Sequence, residues 1–293
     1  MRLDDFRSSD NVEDRRGGGM PMGRGGIGIG ALLVILVVSY FTGINPLMLI
    51  GGYESVTGGG QQQEVEPGKE GAPADESGRF VSQVLGSTED VWTENFQEQV
   101  GSSYRAPRLV LFTGGTVSAC GTAQSAMGPF YCPNDQKVYL DTTFFDEMRQ
   151  RFNACNSDGT CQFAQAYVIA HEIGHHVQNL LGILPKVQQA RESVGGDQSN
   201  ELSVRTELQA DCLAGVWANR AEQRFKFIEP GDVEAALQTA QAIGDDMLQK
   251  KSQGYVVPDS FTHGSSAQRQ RWLIVGLKEG KVASCNTFSA RQL

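Results

Sequence analysis

A basic surplus is missing from these 293 residues: 25 lysines and arginines face 34 acids, for a formal net charge of −9. Neutralising phosphates takes a basic surface, so nucleic acid is not expected as a partner. Cysteine is absent before Cys120, and no C-x-x-C pair occurs, which argues against a cysteine-zinc site. Charge is absent between Arg24 and Glu54. Glycine is sparse in the body but not before it, with 17 of the 35 in residues 1–78. The remainder is ordinary, at 40% hydrophobic, 20% charged and 8% aromatic, which excludes a wholly disordered or collagen-like chain. The sequence therefore divides into a glycine-rich leader and a globular body.

Residues 1–26 carry five arginines and five acids with little to bury, the composition of a disordered tail. Ile27 to Ile50 (IGIGALLVILVVSYFTGINPLMLI) is 24 residues of uncharged chain. As a helix it would extend ~36 Å, enough for a ~30 Å hydrocarbon layer. A secretory h-region is the rival, since the densest part, 27–41, is short. However, the run starts late, and no small-residue cleavage site follows. A retained transmembrane helix over 27–50 is the expectation. Arg15, Arg16 and Arg24 precede it, so the positive-inside rule predicts a cytoplasmic N-terminus and a body across the membrane. Residues 51–78, with eight glycines and two prolines, read as a flexible linker. The body is expected over 79–293.

All six cysteines fall in that body. An even count in an exported domain suggests disulfides, with 15 possible pairings. Short loops favour Cys120–Cys132 and Cys155–Cys161 and leave Cys212–Cys285; free buried thiols remain the alternative. Strands are predicted at 108–112, 130–132 and 137–140, between Gly-Gly and Pro-Asn-Asp turns. Helices are predicted from Thr88 onward, from Asp141 to about 152, over 162–181, 204–225, 231–250 and 265–278, with a polar loop over 182–202. Few strands followed by many helices predict an α+β fold.

The helix over 162–181 contains His171-Glu172-Ile173-Gly174-His175. Positions i and i+4 share one helical face, so both imidazoles can reach one ion. Glu172 projects beside that face, where it can act as a base on a metal-held water. An exposed polar face is the bland alternative, but Val168, Ile169, Ala170, Ile173 and Val177 make the surroundings apolar, where unpaired polar groups are costly. Gln178 and Leu181 replace the glycine and histidine of the metzincin extension, excluding that class. Downstream, Arg205-Thr206-Glu207-Leu208-Gln209-Ala210-Asp211 places Glu207 and Asp211 on one helical face. Glu207 can complete a His-His-Glu set with a position left open. Asp211 can accept a hydrogen bond from a ligand histidine and fix its tautomer. The alternative pairs these acids with Arg205 or Arg220 on a solvated face. His176, about 140° around the helix from His171, is expected to be structural. His263 either stabilises an oxyanion or caps the helix after it. The Ser118–Gly121 region is a candidate edge strand for an extended peptide, or else an internal anchor.

The leader SDNVEDRRG, the glycine-rich stretch and apolar run, HEIGHH and RTELQADCLAG together resemble the bacterial neutral zinc metallopeptidase family over essentially the whole chain. The resemblance implies a gluzincin-like, zincin-type domain with Zn2+ on His171, His175 and Glu207 and with Glu172 as base. The expectation is thus an inner-membrane-anchored peptidase acting on polypeptide, its catalytic domain periplasmic or extracellular. Hydrolysis of another amide, such as a cell-wall peptide, is the enzymatic alternative. A membrane-tethered zinc-binding interaction protein without significant peptidase activity is the non-enzymatic one.

Overall fold

In the computed structural model, residues 1–17, 68–125, 128–152 and 158–293 are described. Strand β1 (Val12–Asp14) is the first regular element, and it lies inside a sheet. It pairs antiparallel with β2 (Lys69–Glu70) and parallel with β3 (Arg108–Phe112). β3 pairs parallel with β7 (Lys137–Asp141), and β7 antiparallel with β6 (Phe130–Cys132), giving the order β2-β1-β3-β7-β6. A separate hairpin joins β4 (Gly115–Ser118) to β5 (Gly121–Gln124). The buried runs of β3 and β7 fit strands covered on both faces.

Helices cover this sheet. α1 (Glu76–Asn95) starts where the Asp75 side chain accepts from Gly78 N at 3.0 Å, earlier than Thr88, and runs into a wider turn, Phe96–Val100. α2 (Thr143–Phe152) and α3 (Asp158–Leu180) follow, the latter closed by left-handed Gly182 at φ 69°. The predicted polar loop after it is instead α4 (Ile183–Glu192) leading directly to α5 (Gly196–Phe225). Its Gln, Ala, Lys and Arg are good helix formers, and α4 buries no residue, so no strong apolar stripe advertises it. The predicted helix 231–250 is two, α6 (Asp232–Ala242) and α7 (Asp245–Gln253). A Cβ at Gly244 would lie 2.4 Å from Ser266 N, so the break lets α8 (Ser266–Glu279) pass close by. The α+β expectation holds.

The leader differs from expectation. Residues 1–16 and 68–293 form one unit, with Phe6 and Val12 in the core. Glu89 accepts from Ser9 Oγ, Asn11 Nδ2 and Arg7 Nη2 at 2.6–2.7 Å. Glu13 accepts from Arg15 Nε at 2.7 Å and Lys137 Nζ at 2.9 Å. Composition predicts disorder by treating the acids and arginines as solvated; Arg7, Glu13, Asp14, Arg15 and Arg16 instead pair with one another and with the body. The body accordingly starts at 68, not 79. A single crossing by 27–50 would put residues 1–16 and the body on opposite sides of a bilayer, so a cytoplasmic N-terminus with the body across the membrane does not fit this fold. Residues 27–50 themselves lie outside the described residues. Among the described residues, no helix is long and apolar enough to cross a membrane.

Two of the expected disulfides are present, Cys120–Cys132 and Cys212–Cys285. Cys155, of the third expected pair, lies outside the described residues. Disulfides of this kind belong to oxidising compartments, which points to an extracytoplasmic body.

Candidate metal centre

Small residues bring the site together. A Cβ at Gly174 on α3 would stand 3.0 Å from the Ala210 carbonyl oxygen on α5, so the two helices touch where His171, His175 and Glu207 face one another. Gly215, further along α5, admits α8: a Cβ there would meet Leu273 O at 2.4 Å. This second close approach carries Arg269 to Asp211.

One candidate donor atom from each of His171, His175 and Glu207 lies within 4.8 Å of the other two. His171 Nε2 is 3.2 Å from Glu207 Oε2, and His175 Nε2 is 3.5 Å from Glu207 Oε1. Both imidazoles are oriented from behind. His171 Nδ1 lies 2.8 Å from Asp211 Oδ1, as expected for Asp211. The Asp211 carboxylate is itself held by Tyr167 Oη at 2.6 Å and by Arg269 Nε and Nη2 at 2.9 Å each. The alternative pairing with Arg205 or Arg220 on a solvated face does not form: Asp211 is buried and its arginine is Arg269. Arg205 pairs with Glu201, and Arg220 reaches Glu98 and Asn95.

His175 Nδ1 lies 2.9 Å from Gln178 Oε1. Gln178 Nε2 donates to Thr206 O at 2.8 Å and Gln209 Oε1 at 3.0 Å, and Gln209 Nε2 donates to Cys285 O at 2.8 Å. These acceptors fix the amide so that its oxygen faces His175. Nδ1 of both histidines must therefore donate, which leaves both Nε2 atoms facing Glu207, each able to lend a lone pair to an ion once deprotonated. Two such nitrogens and a carboxylate, with their second shell complete, suit a borderline ion of zinc's type. Gln178, Tyr167 and Arg269 were missed as positioning residues. The helical spacing of Tyr167 (i−4 from His171) and Gln178 (i+3 from His175) was the available signal.

With no ion between them, the three groups balance one another's charge. Burial disfavours a charged His171, but Asp211 and Glu207 outweigh it and raise its pKa to about 10. Burial also works against the Glu207 carboxylate, yet the two imidazoles hold its pKa well below the ordinary value. Burial raises the pKa of Glu172, with the histidines opposing. His176 faces away. It is buried, with Nδ1 3.0 Å from Tyr131 Oη and Nε2 2.6 Å from Arg105 O, and burial lowers its pKa to about 4.

His171, Glu172, His175, Glu207 and His263 border one cavity of about 660 Å³, together with Phe130 and Tyr131 of β6. β6 is the end strand of its sheet. The Ser118–Gly121 region is not that border; it is the turn of the β4–β5 hairpin, pinned by Cys120–Cys132 and by Asn134 Nδ2 on Ala119 O. His263 lies before α8 but does not cap it. Ser265 does, in a reciprocal pair with Gln268. The His263 imidazole rests on Asp245, Nδ1 to Oδ1 at 3.1 Å. That bond raises its pKa, against burial. Asp245 Oδ2 also accepts from the backbone N–H groups of Thr262, His263 and Gly264.

Residues 1–288 match the family described as "Putative neutral zinc metallopeptidase". The chain belongs to this family. It is 48% identical over 299 residues to "Uncharacterized protein YpfJ" of Escherichia coli K12, covering 98% of this chain and 99% of that one. It is 44% identical over 199 residues to "Uncharacterized protein Rv2575" of Mycobacterium tuberculosis H37Rv, covering 65% of each. No solved structure matches it significantly.

Proposed function

We propose that this chain is a zinc-dependent metallopeptidase that hydrolyses polypeptide amide bonds, with His171, His175 and Glu207 holding the ion. The observation carrying the reading is that Asp211 and Gln178 accept from the two Nδ1 atoms and so turn both Nε2 atoms toward the Glu207 carboxylate. Zinc bound there would polarise the scissile carbonyl and lower the pKa of the attacking water toward ~7. Glu172 takes the proton from that water and returns it to the departing amine. A carboxylate whose pKa is raised by burial suits both halves of that transfer. His263, steadied by Asp245 and bordering the same cavity, donates to the oxygen on which negative charge develops. The free edge of β6 offers its backbone to an extended substrate.

A zinc-binding interaction protein needs the ligands but not Glu172. In Glu172→Gln, zinc content and melting temperature should match the parent while cleavage of an unfolded protein falls at least ~10²-fold. Parental turnover in that variant sinks the mechanism.

The apolar run 27–50 supports membrane association, and the fold supports a location for residues 1–16 and the body on the same, extracytoplasmic side. Exposed Ser8→Cys and Ser252→Cys should then react with a membrane-impermeant maleimide from the same face of intact cells. Labelling from opposite faces would show that β1 is not in the sheet of the membrane-bound protein.

A further inference from the structure

Away from the ligand cluster the cavity walls are mostly apolar, with Ser125, Tyr131, Tyr167, Thr206, His263 and Arg269 the polar side chains among them. Phe130, Phe144, Val168, Leu184, Ile243 and Leu248 form its walls, and about 660 Å³ accommodates a few side chains of an extended peptide. Its charged groups are all committed. Arg269 is the one arginine or lysine among the described residues that line it. Both its Nε and Nη2 are spent on Asp211, and it is 4% exposed. His263 leans on the Asp245 carboxylate, which offsets its charge. Glu207 faces the two histidines, and Glu172 is the base of the proposed reaction.

An enzyme that trims chain ends must pay to desolvate a terminal carboxylate or ammonium, and this requires an opposite charge kept free for it. None of the described lining residues offers one. We infer that the chain is an endopeptidase for apolar stretches: it cleaves internal peptide bonds flanked by uncharged, bulky side chains and does not recognise chain termini. This rests on the metallopeptidase reading above. In the reaction the internal C–N bond breaks. Water supplies hydroxyl to the acyl carbon and a proton to the nitrogen. The new carboxylate and ammonium first appear in the products, where the lack of partners for them favours release.

The test uses the full-length, zinc-loaded protein and internally quenched peptides of one length. Their cores carry Leu-Phe, Asp-Asp or Lys-Lys, and their ends are either free or blocked by acetyl and amide groups. Blocked Leu-Phe peptides should be cleaved at least as fast as free-ended ones. The charged cores should fall at least ~10-fold in kcat/KM. Binding of the same peptides to Glu172→Gln, read by fluorescence anisotropy, should follow the same order. Cleavage or binding that requires a free end overturns the inference and leaves the peptidase reading standing. Binding in the expected order with no cleavage by the parent overturns the peptidase reading and the endopeptidase inference with it, and leaves a cavity that only binds apolar segments. Leu248 and Leu184 are half-buried wall residues, so a long cation is accommodated there. Leu248→Arg, and independently Leu184→Arg, should each shift preference toward Asp-Asp over Leu-Phe by at least ~10-fold. Unchanged preference in both variants, with parental circular dichroism, would show that these walls do not select the substrate.

Discussion

Glu13 and Glu207 are both carboxylates drawn beneath the surface, and they are satisfied in opposite ways. Glu13, on β1 between β2 and β3, accepts from Arg15 and Lys137, two permanent cations of the same chain. Glu207 faces only imidazoles, at 3.2 and 3.5 Å, and an imidazole is a cation only when protonated. Asp211, one helical turn further on, has Arg269 and behaves like Glu13. A buried acid whose charge is balanced by the chain's own arginines and lysines is a structural acid. One left with lone-pair donors is where an external cation fits. The contrast separates two networks that look alike in a list of acidic residues.

The sharpest way to break it is to neutralise each acid in turn. Glu207→Gln should weaken zinc affinity by more than ~100-fold, since losing even an outer partner of a ligand typically costs 10–100-fold. Its stability in the presence of a chelator should fall, because without an ion Glu207 is the partner of both imidazoles. Glu13→Gln should keep stoichiometric zinc but lose about 1–3 kcal/mol of unfolding free energy, as Arg15 and Lys137 lose their acceptor. Competition with a chromophoric chelator and urea unfolding read the two effects separately. Equal loss of zinc in both variants would erase the distinction.

A smaller effect is expected one shell out. Gln178→Met keeps the side-chain length but removes the acceptor for His175 Nδ1 and the donors to Thr206 O and Gln209 Oε1. Zinc affinity should fall about 10–100-fold. The orphaned Thr206 carbonyl adds a cost in stability that urea unfolding in chelator measures on its own. If affinity is parental while stability falls, Gln178 only packs the two helices.

The same contrast marks how much could be read in advance. His171, Glu172, His175 and Glu207 were legible because a metal face obeys helical spacing, and Asp211 because it lies one turn from Glu207. Arg269 was invisible as its partner: it is 58 residues downstream, and only the packing of α8 at Gly215 and Gly276 brings it in. β3, β6 and β7 were legible from their apolar β-rich runs. β1 was not, because Val12-Glu13-Asp14 is short and two-thirds acidic, and its neighbours Arg15 and Lys137 neutralise it only once the sheet has formed. Composition describes what water would do with a segment and says nothing of a partner more than a hundred residues away.

The smallest effect is a pH dependence confined to the leader's network. Burial works against the Glu13 carboxylate, but the hydrogen bonds and charges of Arg15 and Lys137 outweigh it and lower its pKa to about 2, from the ordinary 4.5. A folded-state pKa below the unfolded one adds stability that is complete above about 4.5 and is lost as pH falls toward 2, because the unfolded chain takes up the proton first. The parent and Glu13→Gln should therefore differ by a constant unfolding free energy from pH 7 down to about 5, and the gap should close between 4.5 and 2. Performing both titrations in chelator makes protonation of the histidine cluster common to the two proteins, so it cancels in the difference. A gap that stays open down to pH 2 would show that Glu13 contributes through shape and not charge. The leader would then be held by Phe6, Val12 and the strand pairing alone.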